Sequence, residues 1–331
     1  MHRGEVELRG LVESVLDARV ECTDLPVGIR TQGKVRERYE YGDQILLVAS
    51  DRVSAFDRIL DTIPLKGQVL TSCSLWWFHK TRHIVDNHVI DAVDPQAVLC
   101  KKAQVFPIEF VVRGFITGST GTSMWTHYAN GVRDYCGHVL PEGLVRNQRL
   151  EEPLVTPTTK EEHDRLISPE EIVAEGIMSK EDWEFCSRKA LELFKFGQAI
   201  ALERGLLLVD TKYEFGRDLS GKVILVDEIH TPDSSRYWIA SSFEDRFARG
   251  LNPENIDKDI LRHWFRENCD PYKDKILPKA PKELVVTLAA RYVMLFEMIT
   301  GEPLDFEIPK HHQDVACRIL DNVRNNTMWF D

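Results

Sequence analysis

The chain has 331 residues, 43% hydrophobic and 29% charged, values that suit a soluble protein of one large or two ordinary domains with a sizeable core. Its formal net charge of −11 withholds the basic surplus that a general nucleic-acid binder needs, and it does not favour an anionic membrane. No apolar run approaches the roughly 20 residues that span a bilayer, "MHRGEVELRG" has no signal core, and cysteines scattered singly without a CxxC pair point to reduced thiols and a cytoplasmic location.

In chain order, the apolar spacing of "LRGLVESVLDARV" predicts a short amphipathic helix over 8–20. Short strands follow, one before Gly33, one over Val35–Tyr41 and one at "QILLVAS", the last two joined by a hairpin turn at "YGDQ". Residues 72–85 read as helix, and "HVIDAVD" and "VLCKKAQVFPIEFVVRGF" return to strand character. Pro107 marks a change of architecture, giving a mainly antiparallel domain over 1–107 and a larger one over 108–331. Beyond it come a strand, a Gly-rich turn and a helix in "EFVVRGFITGSTGTSMWTHYANG", then a long polar excursion over 139–165. Two helices with Ser start signals follow, "SPEEIVAEG" and "SKEDWEFCSRKALELFKFGQAIALERG". A hairpin spans 206–229, and the rest is mostly helix.

That hairpin carries the strongest chemical signal. In "LLLVDTKYEFG" an apolar strand emerges with Asp210, Lys212 and Glu214 at alternate positions, so the three share one face. A two-residue turn at Ser220–Gly221 would set Glu214 opposite Asp227; a slip of one residue substitutes Glu228. Opposed carboxylates repel unless a cation lies between them, and Mg²⁺ in phosphoryl-transfer sites takes one or two carboxylates plus phosphate oxygens. A solvated hairpin would also alternate, but here "HTPDSSR" follows at once, offering Asp233, Ser234, Ser235 and Arg236 for a phosphate and a polar ligand.

Other signals are weaker alone. "TQGKVRERYE" sets a glycine before Lys34 and Arg36 without forming a Walker loop. "VVRGFITGSTGTS" places Arg113 at a strand end beside Ser119 in a Gly-rich turn, and fails the GxGxxG spacing. "SDRVSAFDRIL", with Asp51 and Asp57, and "TPTTKEEHDR", with Lys160, His163 and Asp164, each read as turn chemistry.

Taken in order, "GKVRERYE", "ASDRVSAFD", "IPLKGQVL", "EFVVRGFITGS", "LVDTKYEFG" and "VDEIHTPDSSRYW" closely resemble the phosphoribosylaminoimidazole-succinocarboxamide synthase (SAICAR synthetase) family, from about Pro26 to Trp238. The resemblance implies an α+β fold: a small antiparallel N-terminal domain like a kinase small lobe, a larger ATP-grasp-like domain, and ATP between them. It implies ATP-driven amide formation between carboxyaminoimidazole ribotide and L-aspartate. Residue by residue, it gives Lys34 and Arg36 to the ATP phosphates and backbone near Gln104, Val105 and Phe106 to adenine. Glu214 and Asp227 become Mg²⁺ ligands; Arg113, Ser119 and Arg236 bind the ribotide phosphate; Asp210, Lys212 and Asp233 form the reaction centre. Lys160 and Asp164 match a loop on the aspartate side. A homo-oligomer is left open, since the tail helices can pack within or between subunits. Two rivals are a small-molecule kinase, which would make a stable phosphorylated product without aspartate, and a catalytically silent nucleotide-binding protein.

Overall fold

The computed structural model describes residues 3–56, 58–161, 164–256, 259–306 and 312–325; Asp57 and His163 lie outside them. Helix α1 (Glu5–Ser14) precedes β1 (Ile29–Gln32), β2 (Arg36–Tyr41) and β3 (Gln44–Ala49). The expected turn joins the last two: Tyr41 pairs with Gln44, and Gly42 takes φ 57°, the left-handed geometry of a two-residue hairpin turn. Next come β4 (Arg52–Ala55), β5 (Arg58–Thr62), α2 (Lys66–Thr81), β6 (Val89–Asp94) and β7 (Ala97–Lys101). "SDRVSAFDRIL" is thus a hairpin in its own right, and its Asp51 is buried, accepting the amides of Val20 and Gly67 at 2.8 Å each.

The chain continues through β8 (Ala103–Val105), β9 (Ile108–Phe115), α3 (Met124–Ala129), β10 (Asp134–Tyr135), β11 (His138–Val139), β12 (Arg149–Val155) and β13 (Thr158–Thr159). Helices α4 (Pro169–Ala174) and α5 (Lys180–Glu203) start at the two serines that the sequence singled out. Ser168 forms a capping box with Glu171, and Ser179 accepts the amide of Asp182 at 3.1 Å. Then follow β14 (Leu206–Asp218), β15 (Val223–Val226), β16 (Ser235–Ile239), α6 (Ala240–Ala248), α7 (Asp259–Asn268), α8 (Lys282–Thr300) and α9 (His312–Asn325).

The result is α+β with antiparallel sheets. Two compact units emerge, and their make-up differs from a cut at Pro107. One comprises Met1–Trp77, Val89–Lys102 and Ile256–Asp331; the other comprises Phe78–His88 and Ala103–Asn255. The sequence grouped the C-terminal helices with residues 108 onward, whereas packing groups them with the N-terminal sheet. Val315, Ile319 and Val323 of α9 share a core with Tyr39, Leu46, Val48 and Leu99. Arg318 grips Asp94 with bonds of 2.6 and 3.0 Å, and Arg3 Nε reaches Glu297 on α8 at 2.8 Å. An amphipathic helix advertises an apolar face but not the surface that will cover it.

The first unit is built on a sheet of order β1-β2-β3-β7-β6. The second is built around β14, which pairs with β16 and β9 at its start and with β15 and β8 at its end. Leu207 and Val209 of β14 pack with Phe115, Trp238 and Phe243. On α5, a Cβ at Gly197 would meet Leu208 of β14 at 2.9 Å, so only glycine allows this close approach of helix to strand.

Candidate active site

The alternation on β14 is realised, and its three polar residues serve two clusters. Lys212 Nζ lies 2.8 Å from Glu214 Oε1, 2.9 Å from Glu109 Oε1 on β9 and 4.0 Å from Asp227 Oδ2. Lys160 bonds the other oxygen of Glu214, and Thr158 donates to Glu109 at 3.1 Å. Burial works against the Lys212 charge, but the carboxylates of Glu214, Asp227 and Glu109 outweigh it and hold the ammonium well above its ordinary pKa. Lys212 is therefore a fixed cation.

The hairpin register corrects one expectation. Glu214 faces Val226, not Asp227. The loop is one residue longer than a two-residue turn: Asp218 N–H donates to Lys222 O at 2.9 Å, enclosing Leu219, Ser220 and Gly221, with Gly221 at φ 84°. Three-residue hairpins of this kind place glycine in the left-handed region. Asp218 Oδ1 also accepts from the Ser220 and Lys222 amides at 2.9 and 3.0 Å. Asp227 falls just past the strand at φ 67°, and its carboxylate still reaches the ammonium that Glu214 contacts. Glu228 is buried and accepts from Thr231 Oγ1 at 2.7 Å.

Glu109, Glu214 and Asp227 supply three carboxylates against the two ammoniums of Lys160 and Lys212, leaving one net negative charge. Hard oxygen donors around surplus negative charge suit Mg²⁺. Among the described residues no three His, Cys, Asp or Glu side chains are grouped to hold a metal by themselves.

The second cluster surrounds Asp210. Arg236 Nε donates to its Oδ1 at 3.0 Å and Nη2 lies 2.9 Å from Oδ2, while Arg113 Nη1 is 3.8 Å away. Register explains the convergence: Asp210 pairs with Arg113 on one side and Arg236 on the other. Arg113 is buried and also engages Thr156 Oγ1 at 2.9 Å and Thr122 O at 3.1 Å. Gly118 adopts φ 102°, and a Cβ there would lie 3.3 Å from Arg236, so the turn carrying the exposed Ser119 passes close to this guanidinium. The loop after β15 winds around Thr231, whose hydroxyl accepts the amides of Asp233 and Ser234 at 3.3 and 3.2 Å.

Gln104 and Val105 are exposed on β8, where Gly216 of β14 permits close pairing; a Cβ at Gly216 would meet Gln104 O at 2.8 Å. The Phe106 amide donates to Phe215 O at 2.9 Å, so this N–H belongs to the fold. Asp164 is exposed, and Lys160 is drawn into the Glu214 cluster. In the other unit, Lys34 is exposed and Arg36 half-buried, on a turn closed by a 2.7 Å bond from Gly33 N to Arg36 O.

Sequence reasoning missed Glu109 and His230. Glu109 had a signal: it is the one acidic residue in the largely apolar run of β9. His230 is fully buried, bonded to Tyr213 Oη, and its carbonyl accepts from Tyr237 Oη at 2.8 Å. Burial pushes its pKa down to about 3, so the ring is neutral and ties the loop after β15 to Tyr213 of β14.

The chain is similar to known proteins over most of its length. The family model for SAICAR synthetase matches residues 29–279. The phosphoribosylaminoimidazole-succinocarboxamide synthase of Legionella pneumophila is 58% identical over 303 residues, covering 91% of this chain and 96% of its own. The chloroplastic synthase of Arabidopsis thaliana is 55% identical, covering 90% of this chain and 71% of its own. Among solved structures, the SAICAR synthase of Saccharomyces cerevisiae complexed with SAICAR superposes with a TM-score of 0.76 at 31% identity, over 87% of this chain and 100% of that one. A family-model match across most of the length, together with relatives more than half identical, leaves one conclusion: the chain belongs to the SAICAR synthetase family.

Proposed function

We propose that the protein is an ATP-dependent ligase that joins carboxyaminoimidazole ribotide to L-aspartate, giving SAICAR, ADP and phosphate in purine biosynthesis. The observation that carries this reading is Lys212 of the central strand, set among Glu109, Glu214 and Asp227 in a SAICAR synthetase family member. The first unit's sheet acts as a kinase-like small lobe and the β14 unit as an ATP-grasp-like body, and the enzyme works in the cytoplasm.

A carboxylate resists attack by an amine. Transfer of the γ-phosphoryl group of ATP to the imidazole carboxylate makes an acyl phosphate; the aspartate amine attacks its carbonyl carbon, and phosphate departs with the C–O electron pair. Lys34 and Arg36 bind the ATP phosphates, and backbone at Gln104 and Val105 meets adenine. Lys212 stabilises the charge that develops on the transferring group. Glu214 and Asp227 would hold Mg²⁺, which when bound would supply neutralisation of the phosphate charge. Arg236 and Ser119 hold the ribotide phosphate, with Arg113 adding positive charge from below. Lys160 and Asp164 serve the aspartate side, and Ser234 orients substrate. Arg236 donates to Oδ1 of Asp210 and lies 2.9 Å from Oδ2, an oxygen left without a hydrogen bond; Asp210 positions that arginine, and Asp210 or Asp233 accepts the amine proton.

Replacing Glu214 by alanine tests the assignment: turnover at saturating Mg²⁺ and ATP falls by about 100-fold or more, and wild-type turnover would overturn it. ADP release measured with each substrate omitted in turn separates ligase from kinase. The ligase forms SAICAR only with ribotide and L-aspartate together, whereas a kinase accumulates a stable phosphorylated product without aspartate.

A further inference from the structure

Arg52 has no part in the chemistry above, yet it is 4% exposed and lies directly under the Gly33–Arg36 turn. Its Nη2 donates to Gly33 O and its Nε to Lys34 O, each at 2.9 Å. The next carbonyl, that of Val35, accepts from Ser50 N at 2.9 Å and Ser50 Oγ at 2.8 Å. Three successive carbonyls are thus tied to one short segment, Ser50–Arg52. In a planar trans peptide, the C=O of one residue and the N–H of the next point in opposite directions. The amides of Lys34, Val35 and Arg36 are therefore turned away from Arg52 and Ser50. Successive N–H groups presented together form an anion-binding concavity.

The positive charge of Arg52 is answered from within. Nη1 bonds the fully buried Glu37 at 2.7 Å, and Arg30 approaches the same carboxylate at 3.3 Å. A guanidinium so compensated serves as a rigid fork. Lysine could not replace it, because one ammonium lacks the planar geometry that reaches two adjacent carbonyls.

We propose that Arg52 is the positioning residue of the nucleotide-phosphate site: by fixing the carbonyls of Gly33 and Lys34 inward, it aims the amides of Lys34–Arg36, and the Lys34 side chain with them, at the triphosphate. This rests on the reading of Lys34 and Arg36 as phosphate contacts, and the test separates the two. Arg52→Lys raises KM for ATP by about tenfold, equivalent to one charge-assisted hydrogen bond, while KM for ribotide and for L-aspartate stays within about twofold. A merely structural role would leave KM for ATP unchanged or shift all three KM values and kcat together, and either result overturns the proposal. Lys34→Ala is the control. If it raises KM for ATP and Arg52→Lys does not, the proposal fails alone; if Lys34→Ala leaves KM for ATP unchanged, the phosphate reading fails and takes the proposal with it. Should Arg52→Lys yield no folded protein, Ser50→Ala decides: a rise of about two- to threefold in KM for ATP alone supports the clamp, and no change overturns it.

Discussion

On β14 Lys212 is held among acids; at the Gly33–Arg36 turn it is the backbone carbonyls that are held from below. Lys212 touches or approaches three carboxylates and is locked in its charged state. Lys34 is exposed, and the rigidity beneath it comes from Arg52 and Ser50 acting on carbonyls. The first arrangement makes the charge of a reactive group depend on its neighbours. The second separates the group that meets solvent from the groups that fix its position. Substitutions on β14 should therefore disturb electrostatics first, and substitutions around the turn should disturb geometry first.

The largest test of that contrast is Lys212→Met, for which turnover by ADP release falls about 1000-fold. Lys212→Arg does not restore it, because a planar fork cannot take the place of a compact ammonium among three carboxylates. Equal losses in Lys212→Met and Lys34→Met would erase the distinction between the two regions.

Titration gives the next largest effect, with opposite signs. Burial lowers His230 to about 3 from 6.5, so folding keeps the ring neutral; its contribution is full above 6.5 and is lost as pH falls toward 3, at about 1.4 kcal/mol per pH unit. Burial raises Asp51 from 3.8 to about 6, against the amides of Gly67 and Val20; its contribution is full below 3.8 and is lost as pH rises to about 6, at a similar slope. Between pH 4 and 6 the two trends offset each other in the wild-type chain, as urea denaturation at stepped pH would record. Asp51→Asn should unmask a stability that climbs with pH, and His230→Phe one that declines. A flat profile in Asp51→Asn would mean that the two sites are not coupled to folding in opposite ways.

Gly197→Ala sharpens the β14 side of the comparison. The new Cβ would lie 2.4 Å from the His230 ring and 2.9 Å from Leu208, so urea midpoints should report a loss of about 1–3 kcal/mol. Turnover should fall several-fold as well, because His230 carries the loop with Asp227 and Asp233. The smallest effect belongs to Gly221→Ala. At φ 84° alanine is strained, so stability drops by about 1 kcal/mol, while kcat stays at the wild-type value because the turn lies away from both clusters.

Legibility followed sequence distance. The alternation of Asp210, Lys212 and Glu214 could be read directly, since a strand's two-residue period is a local property. The partner of Glu214 could not, because register depends on the loop: one extra residue between Asp218 and Lys222 moved Val226 into the place expected for Asp227. The convergence of Asp227 on Lys212 survived that error because the chain turns left-handed immediately after the ladder. Glu109 reaches Lys212 through a pairing of strands about a hundred residues apart, which no local pattern encodes. The same holds for α9, whose apolar face was visible while its partner sheet was not. Motif resemblance reached further than periodicity. It drew out Lys160, as a match to an aspartate-side loop, where its own neighbourhood suggested only turn chemistry; in the fold Lys160 pairs with Glu214.

β14 is bonded to neighbours on both edges, by β16 and β9 near Asp210 and by β15 and β8 near Gly216. Local fraying cannot release such a strand, so its amides should exchange with deuterium only when the whole unit opens. Lys212 and Glu214, to which the proposed chemistry is assigned, thus ride on a strand that should be among the slowest to exchange in their unit.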